Sequence, residues 1–427
     1  MLAPLLLWSV MSTALPAPEA ATSQPAATVE YGQLRQALRE ARHSGNREQY
    51  YRAALRLQTL LPDAPNALLE LALAQSRRGM RAAAIAILER YASLGEGGDL
   101  LAISPDFELL RSARGWDAVQ RHLEANRAEA DRGRDLLSLA DANLLTEDVD
   151  FDAQTGRYFF TSVRQHLILS VDASGQALSF ASSPDHWPML AIKVDASHRR
   201  LCATEVALAG FPGVSDTDAG RSAVICYRMD TGAVIFRIEP PEPAALGDMA
   251  LLANGDLIAS DGAHGRIYQV DVAHAKIRLL DARHFISPQT PAVDPGGRFV
   301  YVPDYVRGIG RIDLKTGRVQ WLHAQGRHAL AGIDGLYLYR HTLLAVQNGT
   351  LPQRVVALEL DPTRLVILHE TIIERNSPSL GTPTHGVVIG SHFDYIVNSG
   401  WDFIDDHGAD IPGAEATAPR LRRFELR

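Results

Sequence analysis

From Tyr31 to about Arg134, apolar residues return every three or four positions, the spacing of one helical face. In "NALLELALAQSRRGMRAAAIAILERYASLG" (Asn66 to Gly95), small Ala72 and Ala84 allow two helices to approach, Leu68 and Leu88 fill between them, and Gly79 sits at the turn. Beyond Asp135 the rhythm changes to short β-branched and aromatic runs broken by turns. The stretch "GDMALLANGDLIASDGAHGRIYQVD" (Gly247 to Asp271) reads apolar, turn, apolar, turn, apolar, and "QTPAVDPGGRFVYVPDYVRGIGRID" (Gln289 to Asp313) says nearly the same again. Aligning the turns yields six such units, whose innermost strands begin near Glu147, Met189, Asp248, Gln289, Asp334 and His385.

A period of about forty residues with four strands per unit predicts a β-propeller. A single blade has two apolar faces and gains stability only by packing on its neighbours, so the ring has to close. The sixth unit ends on its third strand, "RLRRFELR", and "RDLLSLAD" (Arg134 to Asp141) can supply the missing fourth. The expected fold class is therefore mainly β, a six-bladed β-propeller over 134–427 preceded by a small all-α helical domain over 31–133. The apolar run "MLAPLLLWSVMSTALPAPEA" has the form of a signal peptide (1–20), and the Ala/Pro/Ser/Thr-rich residues 21–30 read as a linker. A periplasmic or secreted protein is expected, with no membrane span once the signal is removed.

Charge and cysteines narrow the picture. A net charge of -8 offers no overall positive field for nucleic acid. The basic residues are nearly all arginine; the lysines are Lys193, Lys276 and Lys315. Cys202 and Cys226 lie in two strand-like runs. If these pair as a hairpin centred near Ser215, the sulfurs face each other, and either a disulfide or two buried thiols fits. Two cysteines without a matching histidine pattern do not make a zinc site.

Candidate chemistry lies at the front of the blades. Side chains alternate along a strand, so the first residue of an innermost strand can point into the central channel. The positions that converge are Glu147 or Asp148, an apolar site near Leu190, Asp248, Gln289 or Thr290, Asp334 and His385. Carboxylates gathered there repel one another and lose hydration, costs that a divalent cation relieves. Oxygen donors of this kind suit Ca²⁺, Mg²⁺ or Mn²⁺, with Zn²⁺ a further candidate. No Gly-x-Ser-x-Gly motif is present, and the tryptophans form no docking repeat of the quinone-dehydrogenase kind.

"TEDVDFDAQTGRYFFTSVRQHLILSVD" (Thr146 to Asp172) and "GIDGLYLY" in the fifth unit resemble the senescence-marker-protein/gluconolactonase family, which includes luciferin-regenerating-enzyme-like proteins. The resemblance covers about Asp135 to Arg427, while Asn66 to Gly95 resembles a tetratricopeptide helix pair. The family resemblance implies lactone or ester hydrolysis with one channel metal. It puts metal ligands at Glu147 and Asp334, a fourth-blade ligand at Gln289 where the family has Asn, and a substrate contact at Asp248. His385 and Asp248 are the candidates for moving the proton. The loop 400–419 and the connection into the second blade are expected to overhang the mouth, offering Trp187, Trp401, Asp402 and His407 to a small-molecule substrate. The alternative is a non-catalytic scaffold that binds a protein or ligand through the propeller and residues 31–133. Asn348, in "NGT", reads only as a glycosylation sequon.

Overall fold

The computed structural model describes residues 26–427. The signal-peptide stretch and residues 21–25 of the linker lie outside the described residues. Six antiparallel sheets follow one another along the chain. Their inner strands are Val149–Asp152, Met189–Asp195, Leu246–Leu251, Ala292–Val293, Gly335–Tyr339 and Gly386–Ile389. Each inner strand packs beside the next, and the sixth lies beside the first, so the ring is closed. The molecule is a six-bladed β-propeller with a helical stretch before it.

The alternating apolar positions explain the closure. Each of the six blade-to-blade interfaces holds its own apolar cluster: Phe159 and Ile168 against Met189 between blades one and two, for example, and Val346 against Phe393 between five and six. Burying such faces removes apolar surface from water at about 25 cal/mol per Å². Arg134–Ser138 pairs with Arg420–Glu425 as the outer strand of blade six, the closure expected from the sequence. At that seam the buried Asp394 accepts from Tyr158 of blade one at 2.6 Å and from Arg423 at 2.6 and 2.7 Å.

A second ring of hydrogen bonds holds the mouth of the channel. Second-strand hydroxyls reach forward: Thr161 donates to the Leu190 carbonyl at 2.8 Å, Thr204 to Gly247 at 3.4 Å, and Ser260 to Gln289 at 2.8 Å. The Thr290 amide donates to the Asp334 carbonyl at 3.2 Å. Asn348 donates to Pro383 at 3.0 Å, and Thr384 to Glu147 at 2.8 Å. Within blade two, Cys202 stands directly opposite Cys226 and the two form a disulfide, buried at the interface with blade three.

The helical stretch opens with α1 (Ala27–His43), α2 (Arg47–Leu60), α3 (Pro65–Arg77) and α4 (Arg81–Ser93). Leu68, Ala72, Ala84 and Leu88 are fully buried, and Gly79 takes the left-handed conformation at the turn (φ +73°). α1 begins before Tyr31. Residues Ala27 to Glu30, read from composition as linker, form its first turn, because Ala27 is buried and the Thr28 hydroxyl donates to the Phe285 carbonyl at 2.9 Å. The helices sit on the mouth side of blades four and five. Fully buried Arg354 donates to Gln347 at 2.7 Å and to the Gly95 and Leu94 carbonyls at 3.3 and 3.4 Å. The Leu351 amide donates to Glu96 at 2.9 Å. Ala130–Asp131 then adds an outer strand to blade five before the chain reaches blade six.

Candidate functional site

The chain turns into each blade at the mouth, and four of these turns bring ionisable groups together. Ligand-capable atoms of Glu147, Asp334 and His385 all lie within 4.8 Å of one another. Asp248 joins them through His385, whose Nε2 is 2.9 Å from Asp248 Oδ1. The Nδ1 of His385 lies 2.7 Å from the Glu147 backbone carbonyl. A carbonyl can only accept, so Nδ1 carries a hydrogen, and Nε2 faces a carboxylate. The arrangement is that of an imidazolium. Burial of this ring, 1% exposed, works against its charge, but the hydrogen bond to Asp248 and the Asp148 and Asp334 carboxylates outweigh it and hold its pKa well above the usual histidine range.

The carboxylates carry the opposite problem. Glu147, whose side chain is 15% exposed, is pushed up to about 8, first by loss of hydration and then by the Asp334 charge; His385 and the Trp401 indole resist the rise. Burial likewise raises Asp334 to about 6 against the pull of His385, with Asp248 adding repulsion. Three carboxylates face one imidazolium, so the cluster holds excess negative charge that either protons or a cation must offset. The donor set suits an oxygen-seeking divalent ion at Glu147 and Asp334. His385 can join as a ligand only by releasing Asp248 or the Glu147 carbonyl.

Each acid is oriented by a neighbour. Trp401 donates its indole N–H to Glu147 Oε2, and Asn348 donates to Asp334 Oδ2 at 2.7 Å. Tyr305 in turn donates to Asn348 Oδ1 at 3.0 Å. Asn348 is placed by backbone contact: a Cβ on Gly349 would come within 2.6 Å of the Gly332 Cα, so those two turns pack without side chains between them. Thr290 donates to Asp248.

The structure sorts the residues singled out from the sequence. Glu147, Asp248, Asp334 and His385 meet. Asp148 does not join them; it accepts from the Ile192 amide at 2.9 Å and from Lys193 at 2.6 Å, tying blade one to blade two. Gln289 stands aside, its amide nitrogen donating to the Ser287 carbonyl and hydroxyl at 3.2 and 3.1 Å, and Thr290 is the blade-four residue that reaches the cluster. Trp187 does not line an open mouth: it is 2% exposed beneath the Arg221 and Arg237 guanidinium groups. Trp401 overhangs the channel and touches Glu147, while Asp402 and His407 are exposed on the same loop. That loop lies against the long loop 207–220 between the second and third strands of blade two, where a Cβ on Gly210 would meet His407 Nδ1 at 2.7 Å. Ile404, Phe211, Leu208, Leu190 and Leu145 form an apolar cluster beneath them. On the other side of the mouth, a cavity of about 100 Å³ separates the helices from blades four and five, lined by Tyr31, Arg35, Leu61, Tyr305, Asn348 and Leu351 among others. Asn348 is the neighbour of this cluster that the sequence hid. The only signal was its place directly after a second strand, beside the strand start that carries Asp334.

No protein-family model matches the chain, and no curated protein is similar to it in sequence. Solved structures similar to it include virginiamycin B lyase from Staphylococcus aureus, at 13% identity and a TM-score of 0.45 over 62% of this chain and 80% of that one. A PQQ-bound aldose sugar dehydrogenase from Streptomyces coelicolor matches at 12% identity and 0.47, over 70% and 99%. Luciferin-regenerating enzyme matches at 13% and 0.45, over 66% and 92%. Likeness at these values assigns no chemistry to this chain.

Proposed function

We propose that the protein is an exported propeller hydrolase of the gluconolactonase type, using one divalent cation at the channel mouth to open a small lactone or ester. The observation that carries this reading is the convergence of Glu147, Asp334 and His385 on one point within 4.8 Å. Glu147 and Asp334 would hold the cation, which supplies charge to polarise a carbonyl and to acidify a bound water. The chain's own groups do the rest. Trp401 and Asn348 fix the two carboxylates, so neither has to reorient on binding. His385 keeps a proton on Nε2 against Asp248, positioned to be given or taken at that atom. The apolar cluster beneath the two long loops excludes water from one side of the mouth. Export is supported by the disulfide, a bond favoured in oxidising compartments. No helix among the described residues is long and apolar enough to cross a membrane.

The test is hydrolysis of a panel of lactones and aryl esters by chelator-stripped protein, with and without Ca²⁺, Mg²⁺, Mn²⁺ or Zn²⁺. Metal-dependent turnover that Asp334→Asn abolishes, with the melting temperature retained, supports the reading. Equal rates in Asp334→Asn and the unaltered protein would sink it. A non-catalytic binding scaffold is the second reading, favoured by the helices seated across part of the mouth.

A further inference from the structure

The cavity of about 100 Å³ between the helices and blades four and five has no part in the channel chemistry derived above. Both halves of the chain build it. The helical stretch contributes Arg35 of α1, Leu61 from the turn between α2 and α3, and Tyr91 and Glu96 from the end of α4 and just beyond it. The propeller contributes Tyr305 of blade four, and Asn348, Leu351 and Gln353 from the loop between the second and third strands of blade five. Asn348 faces two ways: it lines the cavity, and it donates to Asp334 Oδ2 at 2.7 Å. One side chain therefore stands between the cavity and the channel cluster. Gly349, the next residue, is exposed, so this wall reaches the rim of the mouth.

Buried polar atoms are ordinarily paired, and here three are not. Arg35 Nε, Glu96 Oε1 and Gln353 Oε1, all on residues that line the cavity, have no hydrogen-bond partner among the described residues. Glu96 is 2% exposed. Its Oε2 accepts from the Leu351 amide at 2.9 Å, while Tyr91 beside it does not meet Oε1 in hydrogen-bond geometry. Burial pushes this carboxyl up to about 7, against the pull of Arg354, the Leu351 amide and Tyr91. Leaving such atoms unpaired costs stability, which a ligand that pairs them restores. The rest of the lining says what that ligand is. Leu57, Leu61, Leu69 and Leu351 present aliphatic surface. The volume falls below the roughly 150 Å³ that takes benzene, which limits the group to about four or five carbons. A charged group meets a like charge whatever its sign, a carboxylate at Glu96 and an ammonium at Arg35. A neutral hydroxyl both donates and accepts, so it suits the two oxygens and the guanidinium nitrogen alike.

We propose that this cavity is the subsite for the side group of the substrate: a lactone or ester whose carbonyl meets the channel cluster lays an aliphatic group of about four or five carbons, tipped by a hydroxyl, past Asn348 and between the helices and the propeller. The helical stretch is then the part of the chain that selects the substrate. The subsite rests on the hydrolase reading of the channel.

The experiment compares the p-nitrophenyl esters of acetic, hexanoic and ω-hydroxyhexanoic acid as substrates of the metal-loaded full chain. We expect kcat/KM for the hydroxyhexanoate to exceed that for the acetate about tenfold or more, with the hexanoate between them. Leu61→Trp, which fills the cavity, should bring the three esters close to equality. Glu96→Gln, which keeps an oxygen for the Leu351 amide and turns the unpaired acceptor into a donor, should remove the advantage of the hydroxyhexanoate over the hexanoate. It is the milder change and decides the matter if Leu61→Trp lowers the melting temperature. Equal kcat/KM for the three esters in the unaltered protein overturns the subsite and leaves the hydrolase reading standing, as do variants that keep the full preference. Turnover of none of the esters with any of the four metals overturns the hydrolase reading itself. The cavity is then judged by saturation-transfer NMR with ω-hydroxyhexanamide and hexanamide. Transfer to the hydroxylated amide that Leu61→Trp abolishes supports a site for this group, and no transfer overturns it.

Discussion

Replacing Glu147 with Gln tests the electrostatics of the channel directly. Glutamine keeps an oxygen for the Trp401 indole and removes the charge that faces Asp334. In the folded protein Glu147 is raised from 4.5 to about 8, chiefly by burial and then by Asp334. A carboxyl whose proton is held more tightly in the folded state costs nothing below its unfolded value. It destabilises increasingly as pH rises through the interval, and the full penalty is reached near pH 8. At about 1.4 kcal/mol for each tenfold in proton affinity, that penalty is on the order of 5 kcal/mol. For a chain of this size each kcal/mol corresponds to roughly 1–2 °C in Tm, extrapolating from smaller domains. Thermal melts in chelator from pH 4.5 to 9 should therefore show the unaltered protein losing roughly 5–10 °C more than Glu147→Gln. Glu96 and Asp150, raised by burial to about 7 and about 6, are common to both proteins and cancel in the difference. Adding a divalent cation at pH 8 should restore the unaltered protein and leave the variant unmoved. Parallel pH profiles for the two proteins would mean that Glu147 carries no such penalty.

Three further outcomes follow from the packing. Cys202→Ser/Cys226→Ser opens a loop with sequence separation 24 and should cost about 3 kcal/mol, read as a lower midpoint in urea. Asp394→Ala strips Arg423 and Tyr158 of their shared partner at the blade-one seam; a loss of about 3–5 kcal/mol is expected in the same assay, with Asp394→Asn milder. Arg354→Met removes the donor that grips the Leu94 and Gly95 carbonyls. It should speed tryptic cleavage between residues 127 and 134, measured by mass of the released helical fragment, with cleavage inside the propeller unchanged.

The propeller was legible because its constraints are written in side-chain alternation. Each blade needs two apolar faces, so strand after strand carries the same pattern, and the strand-like run at Arg134–Ser138 pairs with Arg420–Glu425 to complete blade six. Hairpin symmetry set Cys202 opposite Cys226 but left a disulfide and two buried thiols equally open; the structure joins them. Blade four shows where the pattern loses force. Its inner strand is only Ala292–Val293, too short for alternation to fix which side chain faces inward, and a one-residue change of register exchanges Gln289 for Thr290. Asn348 was missed because a loop places it, and the packing of Gly332 on Gly349 has no periodicity to read. The seat of the helices was hidden for a related reason. Helical spacing says what α3 and α4 bury in each other, but not which propeller groups meet the carbonyls of Leu94 and Gly95, which accept from Arg354, or that the amide of Leu351 donates to Glu96. Backbone groups are the same in every sequence.

Everything proposed for the channel depends on a divalent cation held by Glu147 and Asp334. Elemental analysis of the purified protein, dialysed against a mixture of Ca²⁺, Mg²⁺, Mn²⁺ and Zn²⁺, tests it most directly beside Glu147→Gln/Asp334→Asn treated identically. The unaltered protein should hold close to one equivalent of a single metal, and the double variant none above background. Equal metal in both, or none in either, would contradict it.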